Sequence, residues 1–235
     1  MDANKFSLGF YDCIAILFPG AGFAALFIHL FSELGDMLII INGVSSVLFL
    51  FIILVISFIG GHITYILSKK FTDSFVKIIT CNKFNRKLNS DAFKEIDKKA
   101  QNKIILLVER IHDDDFDLKD NIIKYRNNEI SGKELNIRNL CYAVVKSEIG
   151  NYETFVSLAD FLRNTSFILF LVDSILLIEI YIFKMYSFGS VKNLILIALI
   201  LYSSYQLFIR SIDMRKRADR IVYNEFLFKA KSIKE

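Results

Sequence analysis

Four long apolar blocks constrain this 235-residue chain more than any other feature. They run from Phe10 to Phe31, Met37 to Ile59, Ser166 to Phe183 and Val191 to Ile209. A helix rises about 1.5 Å per residue, so about 20 apolar residues cross a hydrocarbon core of roughly 30 Å. Hydrocarbon offers no partner for backbone amides, which leaves helices or closed barrels. Barrel strands alternate apolar and polar positions, and these blocks do not. The expected fold class is an all-α integral membrane protein with four transmembrane helices. The first block has one Lys before it and no A-x-A-like cleavage site after it, so it is read as a retained span.

Charge orients the spans. Cytoplasmic loops carry the excess of Lys and Arg. Of the 29 basic residues, 18 lie in 68–165 and 8 more in 210–235, and Lys5 joins that side. The link 32–36 has Glu33 and Asp36 but no Lys or Arg, and the other outer link holds only Lys184, with Lys192 at its border. The clusters nearest the spans agree: Lys69-Lys70, Arg163, and Arg210 with Arg215-Lys216-Arg217. Both termini are therefore expected in the cytoplasm. Trp is absent, so Tyr11, Tyr65, Tyr181 and Tyr186 would form any interfacial belt. Cys13, Cys81 and Cys141 are too few for a disulfide framework.

Four segments follow: a first transmembrane hairpin at 1–67, a central cytoplasmic helical domain at 68–163, a second hairpin at 164–209, and a basic tail at 210–235. Span two has no helix breaker before Cys81-Asn82, so its helix is expected to run through Gly60-Gly61-His62 into the cytoplasm. In the central domain Phe93, Ile96, Ala100, Ile104, Leu107 and Ile111 follow helical spacing, with Ser90 or Asp91 as cap. Ser131-Gly132-Lys133-Glu134 has the pattern of a capping box. Gly150-Asn151 should end that helix, and Asn151 should cap the next. That next helix has no breaker before span three, which predicts one continuous helix from cytosol into membrane.

Ionisable groups within a span are costly and point to function. Asp173 lies near mid-depth and Glu179 toward the outer face. Depth matching sets Asp173 against Pro19-Gly20-Ala21-Gly22 and against Tyr202, Ser203, Ser204 and Gln206; it sets Glu179 against His29 and Asn42. Two readings stay open: a polar track or ion site in an oligomer, or interhelical hydrogen bonding. Pro19, Gly20 and Gly22 should kink the first helix or admit a close neighbour. Gly60, Gly61 and His62 read as a hinge or as a packing contact.

Arg163-Asn164 at the mouth of span three could meet a phosphate, a partner or lipid headgroups. Arg215, Lys216 and Arg217 most simply meet anionic lipid, since aromatic spacing gives no support for direct nucleic-acid binding. The run from His112 through Asp113, Asp114, Asp115 and Asp117 fails as a calcium loop, because Leu118 and Lys124 occupy the Gly and acid positions. No metal or cofactor is expected. Walker, H-E-x-x-H and G-x-S-x-G motifs are absent, and no catalysis is expected.

Pro19-Gly20, Gly61-His62 and the aromatic helix Tyr152, Phe155, Phe161 ending in Arg163-Asn164 resemble a loose family of four-span bacterial membrane proteins. That family is similar to the small membrane accessories of RNA-targeting type VI-B CRISPR systems and to other antiviral membrane effectors, which implies a place in the bacterial inner membrane. The R-x(4–6)-H spacing of the defence ribonucleases is missing, since Arg110 precedes His112 by two residues. The resemblance implies a non-enzymatic, homo-oligomeric effector or accessory that couples a cytoplasmic signal to membrane perturbation or pore opening. The signal would be a nucleoprotein or a small molecule. A docking scaffold for a cytosolic nucleoprotein and a small channel or transporter are the alternatives.

Overall fold

The computed structural model describes residues 10–30, 46–80, 92–111, 116–127, 129, 136–146, 150–182 and 191–232. Among these the chain is helical and contains no strand. Seven helices are described: α1 Phe10–Leu30, α2 Ser46–Thr80, α3 Lys98–Ile111, α4 Phe116–Arg126, α5 Ile137–Val145, α6 Gly150–Ile182 and α7 Val191–Ser232. Three stretches are long and apolar enough to cross a membrane, Leu50–Ser74, Asn151–Ile180 and Leu194–Lys229; Ile14–Leu30 is apolar but shorter.

The chain divides into two compact units, one of residues 1–78 and 157–212, the other of 79–156 and 213–235. Helices α6 and α7 each contribute residues to both. The 33 residues of α6 and the 42 of α7 are unbroken, which at about 1.5 Å per residue makes them roughly 50 and 63 Å long. The expected continuity of the helix entering span three is present. The α2 helix likewise passes Gly60-Gly61-His62 and Leu67 without a break and runs to Thr80.

In the first unit, α2 turns small residues inward and large apolar residues outward. The buried stripe of α2 is Ser57, Gly60, Gly61, Thr64 and Ser68. Its exposed faces carry Leu50, Phe51, Leu54, Ile59, Ile63 and Ile66. A water-soluble domain has the opposite distribution. In hydrocarbon, large side chains gain nothing by leaving lipid, and close backbone packing between small residues holds helices together.

The second unit has an ordinary apolar core. Phe93, Ile104, Val108, Ile122, Ile137, Cys141, Val145, Ala218, Val222, Tyr223 and Phe226 are buried in one cluster. The α7 positions recur every four residues (218, 222, 226), one stripe of a helix. Residues 213–232, which the sequence reads as a basic tail, are thus helical and supply part of this core. Arg138 fastens the same region: its guanidinium lies 5.2 Å from the ring centres of both Tyr142 and Tyr152, and its Nε donates to Asp219 at 3.1 Å.

Local boundaries shift from expectation. The first central helix begins at Lys98, and residues 92–96 form turns. Asp97 takes the cap role expected of Ser90 or Asp91: its Oδ2 accepts from the Lys99 backbone N–H at 3.1 Å. Phe93 is still fully buried, because the turn delivers it to the same core. Ile111, expected on the buried face, is exposed at the helix end. Asn151 lies inside α6, which starts one residue earlier at Gly150, so it does not cap that helix. Ser90, Asp91, His112–Asp115, Ser131–Glu134, Tyr186 and Asn42 lie outside the described residues.

Candidate functional site

Three motifs that are far apart in the sequence meet in the first unit. Pro19 lies inside α1. A proline has no backbone N–H, so the carbonyl four residues earlier, that of Ala15, loses its helical partner. The Asn164 amide fills that place, its Nδ2 donating to the Ala15 oxygen at 3.1 Å. Asn164 Oδ1 in turn accepts from the Ser68 hydroxyl at 2.6 Å. Arg163 Nε donates to Ser68 Oγ at 3.3 Å. The Tyr65 carbonyl lies 3.1 Å from the same Oγ, but a hydroxyl has one proton, and the shorter contact to Asn164 takes it. The result is a chain from Arg163 through Ser68 and Asn164 to α1. Asn164 and Ser68 are wholly buried.

Arg163 does not project freely from α6. Its Nη1 pairs with Asp160 at 3.0 Å, and its guanidinium lies 5.0 Å from the centre of the Tyr65 ring. Nη2 is buried and has no hydrogen-bond partner among the described residues. Arg163-Asn164 therefore acts first on neighbouring helices α2 and α1.

Gly20 and Gly61 explain how α1 and α2 come close enough. A Cβ on Gly20 would collide with the Ser57 carbonyl oxygen, and one on Gly61 with the Ile16 carbonyl oxygen. Both obstacles are backbone and cannot move aside cheaply. A Cβ on Gly60 would lie 3.1 Å from the Gly20 oxygen, and one on Gly22 would lie 3.1 Å from Ile168 Cγ2. These four glycines serve helix contact. His62 is exposed on the outside of α2, edge-on to Phe58 with ring centres 4.6 Å apart.

Farther along, Ser166 and Ser204 clasp α6 to α7. Ser166 Oγ donates to the Ser204 carbonyl at 2.7 Å, and Ser204 Oγ donates to the Ser166 carbonyl at 2.9 Å. Glu179 meets His29, as depth matching expects, with Oε1 2.9 Å from Nε2. The pairs Ala15–Asn164 and His29–Glu179 are separated by 149 and 150 residues. Nearly equal offsets mean that α1 and α6 run parallel in fixed register.

That register places Asp173 along α1. It sets Asp173 level with Phe23 and Ala24, which directly follow Pro19-Gly20-Ala21-Gly22. Tyr152, 14 residues before Ser166, and Asp219, 15 residues after Ser204, both meet Arg138, so α6 and α7 run antiparallel. Seven residues past Ser166, Asp173 is level with Ile197, about two turns from Ser203, Ser204 and Gln206. Asp173 is only 1% exposed, and its Oδ1 has no hydrogen-bond partner among the described residues. Ser203 and Gln206 are exposed on α7.

In the second unit, Lys216 pairs with Glu95 at 3.1 Å, and Arg220 pairs with the same carboxylate. Arg215 and Arg217 are exposed. Burial pushes the Cys141 thiol well above the usual thiol range. Among the described residues, no three His, Cys, Asp or Glu side chains gather as a metal site.

The sequence reading missed Ser68, Ser166 and the Ala15 carbonyl. Ser68 had a signal, since Ser57, the Gly60-Gly61 pair, Thr64 and Ser68 recur every three or four residues on one face. Pro19 marks the Ala15 carbonyl as lacking its helical partner, but the group that replaces it lies 149 residues away and has no local signal. No known protein family, curated protein or solved structure matches the chain.

Proposed function

We propose that this chain is a four-span inner-membrane protein with both termini in the cytoplasm, and that it acts as a non-enzymatic, oligomeric effector or accessory of bacterial antiviral defence. In this reading α1 is the fourth span. The second unit, built from 79–156 and 213–235, is the cytoplasmic part that meets a nucleoprotein or small-molecule signal. The spans perturb the membrane or open a pore in response.

The observation that carries the reading is that α6 and α7 each belong to both compact units without a break. Both exceed the roughly 30 Å hydrocarbon core. Each helix supplies residues to both units: Tyr152 and Phe226 to the core of the second, and Asn164, Ser166 and Ser204 to the hydrogen bonds of the first. Asp173, buried with an unmatched carboxylate oxygen, is the group best suited to take part in an altered arrangement of the spans.

Ion flux through the purified protein in liposomes, with and without candidate cytosolic activators, tests this. Flux that appears on activation and is lost in Asp173→Leu is the expected result. No flux in any state overturns pore opening.

A docking scaffold is the second reading. It is favoured by exposed Leu106, Ile111, Ile123 and Phe228 in the second unit, which offer apolar contacts to a cytosolic protein. Replacing the spans with unrelated ones would then preserve activity.

A further inference from the structure

The lipid-facing surfaces of the first unit are not alike. From Leu50 to Leu67 the exposed residues of α2 are apolar except for His62. On α7 the exposed surface includes Tyr202, Ser203, Tyr205 and Gln206. Hydrocarbon provides no hydrogen bonds, and polar groups on span surfaces are met by other helices.

The exposed residues of α7 also have an order. Ile195, Leu199, Tyr202 and Gln206 follow spacing of four, three and four, the seam of a left-handed helix pair. Ile195 is 53% exposed, Leu199 58% and Tyr202 62%, so no described helix of the chain covers the seam. Ser203 flanks it.

We infer that the α7 face formed by Ile195, Leu199, Tyr202 and Gln206 is the contact with a second copy of this chain in the membrane. This rests on the membrane reading above and deepens its oligomer. Two features select a second copy over another protein. Amide and hydroxyl groups each donate and accept, so Gln206, Tyr202 and Ser203 are each complementary to themselves. Copies inserted in one membrane also share one orientation, so two α7 helices meet in parallel. A twofold axis along the membrane normal then places Gln206 opposite Gln206 and Tyr202 opposite Tyr202. A single polar residue in such a seam fixes register and partner number.

Single cysteines introduced by Ile195→Cys, Leu199→Cys, Tyr202→Cys, Gln206→Cys, Leu194→Cys and Leu201→Cys test this in the full chain in native membranes. Copper phenanthroline is the oxidant, and the parent chain with its own three cysteines is the blank. Covalent dimer is expected at 195, 199, 202 and 206 above the blank, and at background level at 194 and 201, which face more than 100° away. Adding Gln206→Leu to Leu199→Cys should lower the dimer fraction about threefold, as expected for one interhelical hydrogen bond in a membrane. Dimer at 194 and 201 equal to that at 199 and 202, or no dimer at any position, overturns the inference. Liposome flux read on the same variants separates the two readings. Periodic crosslinking without flux removes the pore and leaves the interface, and flux with no crosslinking does the reverse.

Discussion

The side-chain amide of Asn164 donates to the Ala15 carbonyl at 3.1 Å, in place of the backbone N–H that Pro19 lacks. One residue of α6 thereby makes a proline tolerable inside α1. Leaving a buried acceptor unmatched costs about 1–3 kcal/mol. Asn164→Ala should lose about that much, read by reversible unfolding in mixed micelles. In a Pro19→Ala background the α1 backbone supplies its own N–H, and the same substitution should cost about 1 kcal/mol less. Equal losses in both backgrounds would show that the amide does not answer the proline.

The glycines differ by what a methyl group would meet. Gly20→Ala and Gly61→Ala drive a Cβ into backbone carbonyls of the facing helix. Each should cost about 1–3 kcal/mol through forced separation of α1 and α2. Gly22→Ala meets the Ile168 Cγ2 methyl at 3.1 Å, a contact relieved by a shift of a few tenths of an ångström, so its effect should be the smallest of the three. A hinge role would give another order, with stability unchanged and activity lost at Gly61.

Residues 213–232 should behave as core in the second unit. Phe226 is 1% exposed, and Phe226→Ala should cost about 3–5 kcal/mol. Glu95→Ala removes two partly exposed ion pairs and should cost about 1 kcal/mol or less. Limited proteolysis reads both, with rapid cleavage inside 92–146 only in the Phe226 variant. A free basic tail would give two silent variants.

Cys141 offers a pH test. Its thiol is fully buried, and burial raises its pKa far above the ordinary value of about 8.5. The folded state holds the proton more tightly than the unfolded chain. The related stability is complete below about pH 8.5 and declines as pH rises beyond it, by at most about 1.4 kcal/mol per unit. Maleimide should leave Cys141 unmodified at pH 9 until the unit unfolds, and Cys141→Ala should flatten the alkaline decline.

How much of this was legible depends on how far each feature reaches along the chain. The continuity of α2 and α6 could be read because no Pro or Gly-Asn pair interrupts 62–80 or 152–182. The His29–Glu179 pair could be read because depth in a bilayer is a one-dimensional coordinate. The α7 neighbours expected of Asp173 were displaced because the Ser166–Ser204 clasp, which sets α7 about two turns differently, joins residues 38 apart and has no local signal. Residues 213–232 carry the spacing Met214, Ala218, Val222 and Phe226, yet Arg215, Lys216, Arg217 and Arg220 between them give the segment the look of a tail. The start of α3 was misplaced because Phe93 and Ile96 keep helical phase while sitting in turns. The amide of Asn164 and the proline it answers are joined only by the fold.

Asp173 decides between the two roles that its position allows. If the carboxyl ties helices together, Asp173→Leu removes a hydrogen bond and destabilises the first unit. The observed oxygen has no partner among the described residues, and the side chain is 1% exposed. Burying an unmatched polar group costs about 1–3 kcal/mol in protein interiors. Asp173→Leu should therefore raise resistance to denaturation in mixed micelles by about 1–3 kcal/mol while abolishing the proposed flux. Asp173→Asn keeps the volume and should be closer to the parent in stability. A loss of stability in the Leu variant would assign Asp173 to helix packing and remove it from any path through the membrane.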